Sequence, residues 1–181
     1  NYGFVLLGLV IERVSGQSYY AYVRDHVYGP AGMTASGSQP ESAAVPNRSV
    51  GYTKMDGPTW APNTATLPPR PTSAGGGYST VGDLVAFARA LVGHKLLNAA
   101  LTDSVTTGKV TAAGGEKYAL GFGDHDTGDV RWFGHGGGAP GMNGVLRIYP
   151  ASGYVVAVLA NLDPPAAEQI AAFIGDRLPA R

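Results

Sequence analysis

The sequence predicts an α+β layer architecture, because its apolar pattern changes period partway along the 181 residues. Residues 2–28 and 80–92 place apolar side chains at three- and four-residue spacing, as helices do. From residue 115 onward, short extended runs alternate with tight turns, and a final helical stripe closes the chain. These observations divide one domain into a helical and irregular part, residues 1–114, and an antiparallel sheet with a C-terminal helix, residues 115–181. No internal repeat of about 20–50 residues is visible.

The first element, residues 2–14, is predicted to be a buried helix. Phe4, Leu7, Val10, Ile11 and Val14 form its stripe, and Gly16 supplies the stop. Ser18 can cap a second helix over residues 19–28, which Gly29-Pro30 should end. Tyr19, Tyr22, Val23 and His26 line one stripe of it, with His26 as an interfacial residue. Residues 31–77 are rich in Gly, Pro, Ser and Thr without period, which predicts a long ordered excursion or lid able to carry binding groups. Thr80 and Asp83 form a T-x-x-D cap for the helix 80–92, with Leu84, Phe87, Ala88 and Leu91 facing inward.

Four runs follow, YALGFGD, VRWFGH, GVLRIYP and YVVAVLAN, separated by HDTGD, GGGAPGMN and ASG. Such close turns predict a four-stranded antiparallel meander. The unbroken apolar run 154–159 is expected to be a central strand covered on both faces. A last helix should begin near Pro164-Pro165 and turn Ile170, Phe173, Ile174 and Leu178 inward.

Composition narrows the function. Lys plus Arg and Asp plus Glu balance at 13 each, so nothing draws the chain onto nucleic acid or an anionic membrane. No apolar run approaches the roughly 18 residues of a membrane span. With no cysteine, disulfides and thiolate metal sites are excluded. The four histidines, His26, His94, His125 and His135, lie far apart with no metal-ligand spacing. Neither a metal nor a cofactor is expected, and a small, modestly charged ligand fits best.

The most informative stretch is FGHGGGAPGMNG, residues 133–144. Gly136, Gly138 and Gly141 fit G-x-G-x-x-G, but a dinucleotide fingerprint needs a helix to start at the glycines, and MNGVLRIYP reads as a strand. A Walker loop is excluded because no G-K-[ST] exists. As structure alone, Gly136 to Gly138 would be a strand end entering a turn. As a site, they would be an exposed strand edge that lets an acyl group lie against the main chain, with an N–H aimed at a developing oxyanion. His135 would then stand at the rim as a donor or proton relay.

The stretch HGG at 135–137, followed by GAPGMNG and an apolar strand, resembles the third motif of the serine β-lactamase, penicillin-binding protein and esterase family, in the branch where H-x-G replaces K-T-G. Residues 1–33 resemble the segment after that family's Tyr-x-Asn motif, with Asn1 as the Asn. PTSAGGGYSTVGDLVAFARAL (71–91) and VPNRSVGY (45–52) are similar to two further stretches. The resemblance implies a β-lactamase/transpeptidase-like fold, a helical region against an antiparallel sheet with the site between them. It also implies acyl transfer, in which the Ser of S-x-x-K attacks a carbonyl and Lys and Tyr move the proton.

By that resemblance Asn1 holds a substrate polar group or orients the Lys, and His135 occupies the cationic position of the third motif. Gly136, Gly137 and Gly138 form the substrate-binding strand, with Gly137 and Gly138 supplying the edge and the oxyanion N–H. The chain departs from the pattern at the nucleophile. Three residues before Lys54, Lys95, Lys109 and Lys117 stand Gly51, Val92, Thr106 and Gly114, so no S-x-x-K exists. Thr106 and Lys109 have the spacing but fall in an expected loop.

The opening on Asn1, without Met or a polar lead, together with these gaps, predicts an incomplete domain corresponding to the C-terminal portion of such an enzyme. Its parent would cleave a small-molecule ester, amide or lactam, with H-x-G favouring an ester or peptide over a dedicated lactamase. The chain alone is expected to be inactive. The rival expectation is a non-catalytic binding or self-associating module, a homo-oligomer through apolar surface at residues 4–11 and along the meander. Export to the periplasm or medium fits the family, while the residues themselves leave the compartment open.

Overall fold

The computed structural model describes residues 1–112, 114–126 and 130–179. Helix α1 (Tyr2–Ser15) ends where expected, at Gly16 with φ 70°, whose N–H reaches Glu12 O. Its burial differs from expectation: Phe4, Leu7, Val10 and Val14 are exposed, Val14 to 82%. Only Gly8 is buried, against Ser73, whose hydroxyl donates to Phe4 O at 2.8 Å. A helical period fixes which residues share a face, but covering that face takes a neighbouring element.

Ser18 caps α2 (Tyr19–Val23) by accepting from Ala21 N. The helix then runs on through a π-helical turn (Arg24–Tyr28) into α3 (Gly29–Ala31) and ends at Gly32 with φ 74°. Gly29-Pro30 is therefore no stop. Gly29 N–H still bonds back to Arg24 O in the π-helical turn, and Pro30 follows it into α3. His26 lies on the surface, its ring 4.3 Å from that of Tyr22.

The excursion 31–77 holds only the ribbon of β1 (Tyr52–Thr53) and β2 (Ala61–Pro62) and a 3₁₀ turn, Asn63–Thr66. It is tied to α4 (Val81–Val92) through Asp83. The Asp83 N–H donates to Thr80 Oγ1, as predicted, while its buried carboxylate accepts from Ala35 N and Ser36 Oγ at 2.8 and 2.6 Å. Helix α5 (Ala99–Thr106), capped by Asn98, was not predicted, since its eight residues carry almost no apolar stripe.

Among the described residues the sheet has six strands rather than four, each paired antiparallel with the next: β3 (Val110–Thr111), β4 (Lys117–Tyr118), β5 (Gly123–Asp126), β6 (Arg131–Ala139), β7 (Met142–Tyr149) and β8 (Tyr154–Ala160). The run YALGFGD breaks at Leu120-Gly121, where Ala119 N donates to Phe122 O. β8 lies at the end of the strand order, not in the centre, although α4 and α6 (Ala166–Gly175) pack against it.

Two apolar layers result. On one face Ala88 and Leu91 of α4 meet Phe133, Leu146 and Ile148; on the other, Ala167 and Ala171 of α6 meet Val145, Tyr149 and Val156. The inward face of α6 differs from expectation. Ala167 and Ala171 are fully buried, and Leu178 joins them, whereas Ile170, Phe173 and Ile174 remain exposed. Close approach of helix to sheet selects the alanine face, because larger residues there would overfill it.

The β6–β7 hairpin is pinned from outside the sheet. Asn63 Nδ2 donates to Pro140 O at 2.9 Å, and Asp163 accepts from Gly141 N at 2.7 Å and Lys54 N at 2.9 Å. The N–H groups of Lys54 and Gly141 and the Thr53 hydroxyl hold the Asp163 carboxyl below the usual carboxylate range. Burial opposes ionisation of Asp124, but Arg131, the Gly108 N–H and His125 outweigh it and also lower its pKa. A lowered folded pKa stabilises above the unfolded value of about 3.9 and is lost as pH falls through the folded one. An acid titration followed by circular dichroism should therefore show stability falling below about pH 4, less steeply in Asp163→Asn; identical profiles would contradict the clamp.

Candidate active site

β6 begins with two aromatic anchors, one for each face of the sheet. Phe133 meets Phe122 edge-on at 5.6 Å, while Trp132 is stacked on His125 at 3.7 Å with the Arg147 guanidinium 4.5 Å from its ring. Beyond them come four glycines around His135. Glycine weakens a strand interior, yet β6 continues through Gly136, Gly137 and Gly138 to Ala139. Continuous register with β7, from Phe133 opposite Ile148 to Ala139 opposite Met142, holds it. The glycines are thus strand, and the turn is only Pro140-Gly141.

That two-residue turn decides where the glycine main chain points. A pair closing a two-residue hairpin exchanges both hydrogen bonds, and pairs alternate along an antiparallel ladder. Ala139, Gly137 and His135 therefore bond to β7, and Gly136 and Gly138 direct N–H and C=O to the other side. There β5 ends at Gly123, opposite Gly134. From His135 on, this side of β6 is an open edge among the described residues. The register gives the outward N–H groups to Gly136 and Gly138; Gly137, expected to share that duty, turns its own toward Gly144.

The glycines are also required by space. A Cβ on Gly134 would strike the Leu146 carbonyl, one on Gly138 the Pro164 ring, and one on Gly141 the Asn63 side chain. Gly137 has open space at that position.

Two side chains hold consecutive carbonyls of the run. His135 Nδ1 lies 2.5 Å from Gly136 O, and its Nε2 lies 3.0 Å from the Tyr118 hydroxyl. On the next residue, Asn143 Nδ2 donates to Gly137 O at 2.9 Å and to Glu168 Oε1 at 3.0 Å, while Asn143 Oδ1 accepts from Ala167 N. Asn143 is buried and so couples the strand to the start of α6. Tyr118, Gly123, Trp132, Gly134 and His135 share one cavity of about 230 Å³.

Asn1 stands exposed before α1. Its carbonyl accepts from Val5 N, and its side chain makes no hydrogen bond among the described residues. The structure thus gathers His135 and the three glycines in one edge, and no bond joins Asn1 to them. Tyr118 and Asn143 were not singled out by the sequence; the Pro-Gly dipeptide is a local signal of the register that places Asn143, while Tyr118 is placed by the pairing of β4 with β5. Thr106 is no nucleophile candidate, being 4% exposed with its hydroxyl donated to Thr102 O. No group of three His, Asp or Glu residues able to hold a metal occurs among the described residues, and no helix there is long and apolar enough to cross a membrane.

An antiparallel sheet between helices, with a His-Gly-Gly-Gly strand open along one side, defines a protein built like the serine β-lactamases and transpeptidases. The profile of the Beta-lactamase family matches residues 1–180, and the chain belongs to that family. It is 32% identical over 178 residues to penicillin-binding protein 4 of Amycolatopsis lactamdurans, covering 88% of this chain and 45% of the relative. A penicillin binding protein from Bacillus halodurans superposes with a TM-score of 0.89 at 32% identity, covering 96% of this chain and 54% of that one. A D-stereospecific amidohydrolase from Streptomyces sp. superposes at 0.79 with 27% identity, covering 93% and 51%. The chain spans about half the length of these relatives.

Substitution of the glycines separates the demands of space from those of a ligand. Gly134→Ala should lower stability by about 1–3 kcal/mol through overpacking, read by urea denaturation, and Gly137→Ala should leave it within about 0.5 kcal/mol. Equal losses at the two positions would contradict the packing described.

Proposed function

We propose that the chain carries the substrate-facing wall of a serine acyl hydrolase acting on a small ester, amide or lactam, with the attacking Ser and its Lys supplied from outside these 181 residues. The observation that carries the reading is the open edge of β6, where Gly138 offers an outward N–H three residues after His135. In the reaction, a Ser Oγ adds to the substrate carbonyl and its proton is taken up by a base. The oxygen becomes an oxyanion that the Gly138 N–H stabilises. Collapse expels the amine or alcohol with a proton, and water then releases the acid.

His135 forms part of this wall at the third-motif position, and Asn1 meets the substrate or the Lys once the helical side of the site is in place. Membership of the family and the likeness to penicillin-binding proteins and an amidohydrolase support the reaction class. The absence of S-x-x-K from the sequence supports an external nucleophile.

A second reading, a non-catalytic or self-associating module, is favoured by the exposed apolar surface of α1. One experiment separates the two. A fluorescent penicillin should leave the 181-residue chain unlabelled and should acylate the longest product of the same reading frame at a Ser-x-x-Lys serine. In that product Gly138→Ala, which drives the strand off Pro164, should reduce kcat/KM by about 10²-fold. Labelling of the 181-residue chain itself contradicts the external nucleophile, and an unlabelled longer product favours the module.

A further inference from the structure

We propose that Tyr118 is a positioning residue whose hydroxyl, bonded to Nε2 of His135, holds the ring docked against Gly136 at the open edge of β6 with the proton on Nδ1. This deepens the hydrolase reading and rests on it for the catalytic consequence alone. The chemistry of the partners dictates the assignment. A carbonyl oxygen can only accept, so the 2.5 Å contact with Gly136 O requires the proton on Nδ1. In the neutral ring Nε2 is then a lone pair, and the Tyr118 hydroxyl, 3.0 Å away, must donate to it. Burial pushes the Tyr118 phenol above its ordinary range, so the donor keeps its proton at neutral pH.

The sheet brings the two residues together. Tyr118 on β4 is in register with Gly123 on β5, which is in register with Gly134 on β6. One side-chain-free position, Gly123, thus lies between Tyr118 and β6, and Gly134 beside His135 carries no side chain either. The rings meet edge to face, with centroids 5.9 Å apart. Holding one nitrogen of a histidine is the usual means of fixing the tautomer and the task of the other. Here both nitrogens are engaged, so His135 acts as a fixed part of the wall. Its N–H occupies the Gly136 carbonyl, and the N–H groups of Gly136 and Gly138 remain outward for an acyl oxygen.

Nuclear magnetic resonance of the ¹⁵N-histidine-labelled 181-residue chain, above the pH of histidine titration, reads the tautomer without needing turnover. His135 signals are assigned by their loss in His135→Gln. The expected result is an Nδ1–H tautomer at His135 in the native chain. In Tyr118→Phe, which removes the hydroxyl and keeps the ring, the imidazole loses its hold at Nε2 and turns away from Gly136 O, so the Nδ1–H share should fall toward the Nε2–H form that free imidazole side chains prefer. An Nε2–H tautomer in the native chain overturns the proposal whatever the variant does, and so does an unchanged tautomer in a folded Tyr118→Phe. The expected tautomer in a longer product that never acylates retains Tyr118 and sinks the hydrolase reading instead.

Discussion

The Pro140-Gly141 turn is the constraint on which the site depends. Proline holds φ near −65°, and Gly141 has φ 72°, a combination that belongs to the type II turn. Two-residue hairpins favour the primed turns, because type II twists against the strands. This hairpin therefore closes against its own preference, and contacts from elsewhere offset the mismatch. Asn63 takes the Pro140 carbonyl into a hydrogen bond, and Asp163 accepts the Gly141 N–H. Gly51 and Gly141 have no Cβ because Asn63 and the hairpin carbonyl occupy that space. With the turn held at two residues, register, outward amides and open edge all follow.

The long excursion between α3 and α4 gains a purpose from this arrangement. It delivers Asn63 to the hairpin and the Lys54 N–H to Asp163, and its other end is tied by Ala35 and Ser36 to Asp83. Two separate anchors thus connect an otherwise irregular segment to the sheet and to α4. On the far side, Asn143 joins the glycine run to the first turn of α6. A strand of glycines has no side chains with which to hold itself, so rigidity comes from polar groups on three neighbouring segments.

What could be read beforehand was whatever depends on local period. The Thr80 cap, the α4 face of Ala88 and Leu91, the Gly16 stop and the sheet after residue 115 are all set within a few residues. The order of the motifs singled out His135 and its glycines, which the structure places together on β6. The face of α6 was not, because close packing chose Ala167 and Ala171 over a more apolar stripe. The exposure of α1 was not either, since burial belongs to a pair of elements. Tyr118, Asn63, Asn143 and Asp163 are joined to the site by hydrogen bonds across 17, 77, 6 and 22 residues, and a polar residue's distant partner leaves no mark on local spacing.

The central claim is that β6 presents the main chain of alternate glycines to an open edge. Residue-resolved amide hydrogen exchange of the native chain tests it most directly. Exchange should be fast at Gly136 and Gly138 and strongly protected at His135 and Gly137, which bond to β7. Protection at Gly136 and Gly138 with exposure at Gly137 would mean the opposite register, and the wall described would not exist.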